Sequence, residues 1–175
     1  MRYVATVLVA FVLFAVAPAA AERVTTIDTI ALRENVLSVD HEWVRDLTSV
    51  GIKLAAGRQT ADSGELTLLG GGIGKRWYVA APGNENHRAY AGGYLFGQHI
   101  SLDDGQDVGS QSAIGLISEL GVKVKTRWGA TIDVGPVVTI PVYAQAVYPD
   151  GDVETTDFRY TPITNTWKIG VGFSW

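Results

Sequence analysis

The last nine residues, WKIGVGFSW (Trp167–Trp175), alternate between two kinds of side chain. Large apolar residues stand at every second position, and small or polar residues stand between them: Trp167, Ile169, Val171, Phe173 and Trp175 against Lys168, Gly170, Gly172 and Ser174. A period of two is typical of a β-strand with one apolar and one polar face. The two tryptophans would lie roughly 26 Å apart along a strand, or about 20 Å along a bilayer normal at a tilt near 40°. That separation fits aromatic residues at the two interfaces of a membrane-crossing strand.

The same period predicts seven more strands upstream. We expect them at residues 128–142, 114–125, 90–101, 68–79, 50–56, 36–44 and 24–32. In 90–101 the larger side chains are Tyr90, Tyr94, Phe96 and Ile100, so this face is expected to point outward and His99 inward. We also expect bulges or weak pairing at the triplet 70–72, which is three glycines, and at Pro136.

The segments between these strands alternate in length. Short connections are expected at 45–48, 82–87 and 126–127, and longer ones at 58–65, 102–109 and 143–165, with a tight hairpin at 33–35. Bacterial barrels show this alternation, with short periplasmic turns and longer external loops. The predicted fold is therefore an all-β, eight-stranded antiparallel up-and-down transmembrane β-barrel.

The N-terminal segment has the layout of a secretory signal. Arg2 is followed by an apolar run over 4–16 and by three alanines at 19–21, so we expect cleavage after Ala21 and a barrel domain over 22–175. An uncleaved anchor is the weaker alternative, because the run is shorter than the roughly 20 residues of a membrane-spanning helix.

Composition excludes several kinds of function. The chain has no cysteine, so it has no disulfide, thiolate metal site or thiol nucleophile. Without the signal segment, 13 basic residues face 18 acidic ones, a net charge of −5 that disfavours nucleic-acid binding. No motif indicates a cofactor.

The whole mature chain resembles the small eight-stranded outer-membrane barrels, the class that includes the transmembrane domain of outer-membrane protein A. The resemblance is strongest at the C-terminal signal read by the barrel-assembly machinery, whose four fixed places are filled by Lys168, Gly170, Phe173 and Trp175. Segments 37–57 and 72–97 are similar to an uncharacterised group within that class. The resemblance implies a Gram-negative outer membrane as the location, with its lipid and lipopolysaccharide as surroundings. It implies no activity.

Charged residues of both signs fall on the face expected to line the barrel interior. The predicted interior set is Asp40, Glu42, Lys53, Arg76, Glu119, Lys123, Asp133 and Lys168. Because the interior of an eight-stranded barrel is just wide enough for side chains, we expect these charges to pair and fill it. A narrow channel is the alternative.

A lipid A-modifying hydrolase is a second alternative, because some outer-membrane barrels of this size are lipid A deacylases with a His-x-Ser pair. Here the residues would be His99, Ser101 and Glu119. Activation of a serine needs a histidine within hydrogen-bond reach, whereas residues two apart on a strand merely share a face. Those enzymes also work on the lipid-facing side, and the expected parity turns His99 inward.

The expected external loops 102–109 and 143–165 are rich in aspartate and glutamate. Their spacing lacks the order of a dedicated calcium loop, so we expect solvated charge that contacts surface partners and no metal site. The tryptophans 43, 77 and 128, with Tyr90 and Tyr94, are expected to anchor the protein in lipid. A soluble, lipocalin-like barrel with a buried apolar face is the alternative fold, since periodicity alone does not separate the two.

Overall fold

The computed structural model describes residues 21–61, 64–81, 84–103, 108–148, 152–155 and 164–175. Residues 1–20, which hold nearly all of the predicted signal segment, lie outside the described parts. The described chain forms nine strands and one short helix: β1 (Glu22–Asp28), α1 (Thr29–Arg33), β2 (Val36–Arg45), β3 (Thr48–Ala61), β4 (Gly64–Ala81), β5 (Asn84–Asp103), β6 (Val108–Lys125), β7 (Ala130–Val147), β8 (Val153–Thr155) and β9 (Thr164–Ser174). No helix in these parts is long and apolar enough to cross a membrane.

Eight of the strands close into a ring. Each of β1 to β7 pairs antiparallel with the next, and β9 closes the ring between β7 and β1, while β8 only extends one end of β7. The predicted eight-stranded antiparallel barrel is therefore confirmed. A closed ring leaves no strand edge with unpaired backbone groups.

The strands of the ring are staggered by ten residues. Val24 pairs directly with Ser174 of β9. Going around the ring the other way, from β1 to β2 and onward, the row of directly paired residues that starts at Val24 ends on β9 at Thr164, ten residues before Ser174. The row runs through Glu42, Gly51, Gly74, Tyr94, Ile117, Thr139 and Thr164. A staggered ring has tilted strands, typically at 35–45° to the barrel axis.

The start of β1 and the end of β9 lie together at one end of the barrel, here called the near end. Arg23 and Trp175 exchange two backbone hydrogen bonds there, at 2.9 and 3.0 Å. The turns at 46–47 and 126–129 lie at the same end, whereas α1 and the last residues of β3, β5 and β7 lie at the other, here called the far end.

The connection after β1 differs from the prediction. Strand was expected to continue to residue 32, but Asp28 ends it and caps α1, with its carboxylate accepting hydrogen bonds from the backbone N–H groups of Ile30 (3.0 Å) and Ala31 (3.4 Å). An aspartate at this position satisfies N–H groups that a helix start leaves without partners. The local capping signal thus outweighs the strand preference of the threonines and isoleucines.

Two expected loops are shorter than predicted. Ala61 pairs with Gly64, so β3 and β4 continue through most of the expected loop 58–65. Asp103 pairs with Val108, which leaves only 104–107 of the loop expected at 102–109 between the strands. The third, 143–165, also contains the end of β7 and β8, and residues 149–151 and 156–163 within it lie outside the described parts.

The outward face is apolar along most of the ring, as the sequence predicts. Exposed large apolar side chains include Val79, Leu120 and Ile132, and the tryptophans Trp77, Trp128, Trp167 and Trp175 are each more than half exposed. Arg76 points inward with no exposed surface, as expected, and its neighbour Trp77 points outward.

Strand β5 has the opposite orientation to the one predicted. Tyr90, Tyr94 and Phe96 are buried, whereas Leu95 and His99 are exposed. The interpretation that large side chains face outward fails here, because most outward positions of β5 hold small residues and the aromatic rings fill the interior instead. Tyr90 and Tyr94 are therefore not lipid anchors.

The bulges also fall elsewhere than expected. The glycine triplet 70–72 continues both of its ladders without interruption. The register of β6 and β7 shifts at Ile114/Gly115, and that of β4 and β5 shifts at Ala80/Ala81. Pro136 is aligned with Trp167 of β9 and has no counterpart in the register of β6, in keeping with the predicted weak pairing.

Candidate functional site

The barrel interior holds every member of the predicted interior set. Its eight residues come from six strands: Asp40 and Glu42 (β2), Lys53 (β3), Arg76 (β4), Glu119 and Lys123 (β6), Asp133 (β7) and Lys168 (β9). All but Lys53, which keeps 15% of its side chain exposed, are buried. The alternation of side chains along each strand explains this burial, because each of these residues stands at a position whose side chain points into the ring.

Arg76 is the centre of this interior network. Its guanidinium contacts four carboxylates: Nη2 lies 2.6 Å from Asp40 and 2.5 Å from Glu119, and Nη1 contacts Glu42 and lies 3.3 Å from Asp133. Its Nε also donates to Glu119 at 3.0 Å. The planar guanidinium has five N–H donors, so one side chain can serve several carboxylates that surround it.

Three lysines complete the charge balance. Lys53 lies 2.7 Å from Asp40 and 2.5 Å from Glu119, and Lys168 lies 2.5 Å from Asp40 and 3.0 Å from Asp133. Lys123 contacts Glu42. Four cations therefore face four carboxylates, and each carboxylate contacts at least two cations. The interior network is neutral as a whole, which is what a buried set of charges requires.

Aromatic side chains missed by the sequence reasoning surround this network. Tyr78 donates a hydrogen bond to Glu42, and Tyr90 donates one to Asp133. The Arg76 guanidinium lies 4.6 Å from the centre of the Tyr90 ring, and the Lys53 ammonium lies 4.6 Å from that of Tyr94. Rings that accept cations on their faces and donate from their hydroxyl groups hold both signs of charge in place.

Small residues on neighbouring strands make room for these rings. A Cβ added to Gly121 would lie 2.5 Å from the Tyr90 hydroxyl oxygen, and one added to Gly51 would lie 3.2 Å from that of Tyr94. The signal that could have revealed the orientation of β5 was therefore the set of inward glycines on β3 and β6, which leaves a volume that only large side chains from β5 fill.

An apolar layer closes the interior at the near end. Val24, Val44, Tyr78 and Tyr90 are buried against one another, each at most 5% exposed. Together with the interior network, this layer places buried side chains across the barrel interior in the described part of the chain.

Three of the interior carboxylates come close enough to hold a metal ion. Oxygen atoms of Asp40, Glu42 and Asp133 lie within 4.8 Å of one another. Arg76 contacts all three, however, and supplies the positive charge that a cation would bring. The donor set is therefore arranged for a guanidinium.

The hydrolase triad proposed from the sequence does not assemble. Glu119 is inside the barrel and contacts Lys53 and Arg76, whereas His99 is exposed on the outer wall. His99 instead forms a 2.9 Å hydrogen bond between its Nδ1 and the hydroxyl of Ser112, its partner in the register of β6. Ser101 lies two residues further along β5, aligned with Thr67 and Ser110. The barrel wall separates the acid from the histidine.

The residues of the predicted assembly signal all lie in the closing strand or directly after it. Phe173 and Trp175 face outward and are about half exposed, while Lys168 and Gly170 face inward and are buried. Trp175 also lies beside His41 on the outer wall, with ring centres 6.0 Å apart.

The comparisons with known proteins support the architecture. The chain is similar in structure to the N-terminal β-barrel domain of Pseudomonas aeruginosa OprF, with a TM-score of 0.58 and 12% identity over 89% of this chain and 97% of that one. It is also similar to Neisserial surface protein A, with a TM-score of 0.53 and 13% identity over 88% and 92%. No protein-family model matches the chain, and no curated protein sequence matches it either. At these identities the similarity is one of fold.

Proposed function

We propose that this protein crosses the outer membrane of a Gram-negative bacterium as a closed barrel and serves as a structural or surface-interaction element. The observation that carries this proposal is the contrast between the two faces of the ring. The outer wall is apolar, with large exposed side chains, and the interior is a neutral network of charges. A soluble barrel would need the reverse arrangement.

The filled interior also separates this proposal from the channel alternative. An eight-stranded barrel has little room inside, and here the interior network and the apolar layer occupy it. In the described residues this network and this layer occupy the interior, and His99, Ser101 and Glu119 form no triad, which supports a role in contacts made outside the barrel. Similarity of fold to a protein named for the neisserial surface supports this proposal as well.

We propose the acidic segments within 102–109 and 143–165 as the contact surfaces, since the described ends of the strands that flank them, the ends of β5 and β7 and the starts of β6 and β9, lie at the far end. We propose that this end faces outward from the cell and that the near end faces the periplasm. The barrel-assembly machinery is the proposed partner during insertion, since the closing strand contains the residues of the predicted assembly signal, and membrane lipid and lipopolysaccharide are the proposed surroundings of the wall thereafter.

Cysteine labelling on intact cells tests the location and the orientation together. The chain has no cysteine of its own, so a single introduced thiol reports one position. Asp103→Cys, exposed at the last residue of β5, should react with a membrane-impermeant maleimide on whole cells. Leu47→Cys, in a near-end turn, should react only after the cells are broken. Labelling of Leu47→Cys on whole cells, or recovery of the protein in the soluble periplasm, would reject the proposal.

A further inference from the structure

Lys75 is a charged residue on the otherwise apolar outward face of β4. It stands between Ile73 and Trp77, which are both about half exposed, and it is aligned with Val50 of β3, which is also exposed. Within the described parts of the chain it forms no ion pair, so its charge is not used inside the protein. An ionisable side chain on a lipid-facing wall costs free energy, and such a residue is therefore a candidate for binding.

The Lys75 ammonium is directed toward the near end of the barrel. It lies 5.6 Å from the centre of the Trp77 ring, and Trp77 stands two residues closer to that end on β4. Trp77 is aligned with Thr48, the first residue after the near-end turn at 46–47. Exposed tryptophans are typical of the boundary between acyl chains and headgroups, and a long lysine side chain can reach that boundary. The ammonium therefore reaches the zone in which phospholipid phosphates lie.

An open strip of the wall adjoins Lys75 on the next two strands. Gly93 of β5 is aligned with Lys75 on one side and with Ser118 of β6 on the other, and all three are exposed on the outward face. A Cβ added to Gly93 would have nothing within 4 Å. Ser118 places a hydroxyl between Leu116 and Leu120, two exposed leucines of the same face. The wall thus has an ammonium and a hydroxyl on the two sides of an open space.

The stagger of the ring sets the relative depth of these two polar groups. The row of paired residues rises toward the far end by ten residues over eight strands, which is roughly 25 Å along the barrel axis. Ser118 lies two strands beyond Lys75 in this direction, and thus roughly 6 Å closer to the far end. In a phospholipid whose headgroup lies at the near end, the phosphate comes first and the acyl esters lie deeper. Lys75 therefore has the depth order of the phosphate, and Ser118 that of an ester.

We propose that Lys75, Gly93 and Ser118 form a binding site for one phospholipid of the periplasmic leaflet. The Lys75 ammonium pairs with the lipid phosphate, the Ser118 hydroxyl donates a hydrogen bond to the carbonyl oxygen of an acyl ester, and the glycerol between them lies over Gly93. The choice of leaflet rests on the proposed function, in which the near end faces the periplasm. The recognition of phosphate requires only that the wall faces lipid.

The measurement is native mass spectrometry of the full barrel released from nanodiscs of phosphatidylglycerol and monogalactosyl diacylglycerol in equal amounts. Both lipids have ester-linked acyl chains, but only phosphatidylglycerol has a phosphate. We expect the wild type to retain one phosphatidylglycerol in preference to the galactolipid.

Substitutions of the two polar residues test their separate roles. Lys75→Met should lower the retention of phosphatidylglycerol about fivefold and remove the preference over the galactolipid, whereas Lys75→Arg should keep both. Ser118→Ala should lower the retention of both lipids about twofold, because both have the ester that Ser118 binds. Folding of each variant is checked by the heat-dependent shift of the barrel on a gel.

Two glycines of β5 provide a matched pair. Gly93 lies between Lys75 and Ser118, whereas Gly97 faces outward four residues further along the strand, where a Cβ would come no closer than 3.9 Å to another residue. Gly93→Leu should fill the space for the glycerol and lower retention several-fold. Gly97→Leu adds the same side chain to the same strand outside the site and should retain lipid as the wild type does.

Several results would overturn the proposal. Equal retention of the two lipids by the wild type, or unchanged retention by Lys75→Met, would reject phosphate recognition. Equal retention by the two glycine variants would mean that lipid does not lie over Gly93. A dimer mass that Gly93→Leu abolishes would assign this surface to a second copy of the chain.

The remaining arms separate the source of the phosphate from the orientation of the barrel. Displacement of phosphatidylglycerol by lipopolysaccharide added to the nanodiscs would assign the site to the phosphates of lipid A and reject a phospholipid. Labelling of Leu47→Cys on whole cells would reject the periplasmic leaflet together with the proposed orientation. The nanodisc measurement does not depend on orientation, so its failure would reject the lipid site alone.

Discussion

Arg76 shows how one residue can determine the interior of a small barrel. It comes from the middle of β4, is fully buried, and contacts carboxylates contributed by β2, β6 and β7. Each of these carboxylates would carry a desolvation penalty of several kcal/mol alone, and a buried pair is strongly destabilised when one partner is removed. Arg76 therefore links strands that are not neighbours in the sheet.

Replacing Arg76 should therefore destabilise the barrel strongly. Arg76→Met keeps much of the side-chain volume but leaves four carboxylates with only three lysines, and we expect a loss of about 3 to 5 kcal/mol in the free energy of unfolding. Urea unfolding of the refolded barrel in lipid vesicles measures this loss. Arg76→Lys restores the charge but lacks the planar fork, so it should recover only part of the stability.

The adjacent residue supplies the control. Lys75 points outward, with its ammonium 5.6 Å from the centre of the Trp77 ring, and contributes nothing to the interior network. Lys75→Met should change stability by less than about 1 kcal/mol. Equal losses for the two substitutions would show that the interior network does not stabilise the barrel.

At the scale of single positions, the sequence predicts charges better than aromatic residues. A buried charge must be paired in a lumen or lie at an interface, so the parity of Asp133, Lys168 and Arg76 followed from simple alternation. A tyrosine fits either face of a barrel, because its ring is apolar and its hydroxyl is polar. The orientation of Tyr90 and Tyr94 depended on glycines of other strands, which no local pattern reveals.

Among the elements, β9 has one role that the structure shows and one that stays a prediction from the sequence. Its pairing with β1 and β7 closes the ring, and its last residues match the assembly signal predicted from the sequence. Trp167 and Phe173 lie on the same outward face of this strand, and both are exposed, but only Phe173 occupies a place in that signal. The two residues make similar contributions to the wall and differ in their expected role in biogenesis.

Alanine substitution of these two aromatics should therefore have different effects in cells. We expect Phe173→Ala to lower the folded fraction in the outer membrane several-fold and Trp167→Ala to leave it nearly unchanged. Gel migration of unheated membranes measures the folded fraction. Both variants should refold alike in lipid vesicles without the assembly machinery. If Phe173→Ala also fails to refold there, its defect is one of stability and the signal role is rejected.

Strand β5 shows why the presence of a strand was predicted better than its bounds and its orientation, since it runs from Asn84 to Asp103. Its residues 90–101 were correctly assigned to a strand, because alternation is visible whichever face is buried. The choice of face rested on side-chain size, and size favoured the wrong one. The reversal also moved His99 from the expected interior to the outer wall. The helix α1, by contrast, has a signal in the sequence: Asp28 is a favourable N-cap residue, and the strand interpretation of 24–32 did not take it into account.

For the molecule as a whole, closure of the ring and neutrality of the interior belong together. A closed barrel has no free strand edges, but it encloses an interior with little water. A charge buried there needs a partner of the opposite sign. Four cations and four carboxylates meet that need, and the apolar layer of Val24, Val44, Tyr78 and Tyr90 closes the near end. The interior network thus connects strands from all around the barrel wall.

From this closed, occupied interior we predict that the wild-type barrel does not conduct ions. Planar-bilayer recordings of the wild-type protein should show no discrete conductance steps, because the interior network and the apolar layer occupy the described interior of a barrel that has little room inside. Removing bulk and charge together, as in Arg76→Ala combined with Tyr90→Ala, should admit water and produce small, brief steps, since the ring of backbone hydrogen bonds would still hold the wall. The Lys75→Ala variant, altered only on the outside, should stay silent. Steady conductance from the wild type would mean that the interior network lines a pore, and the protein would then have to be regarded as a channel.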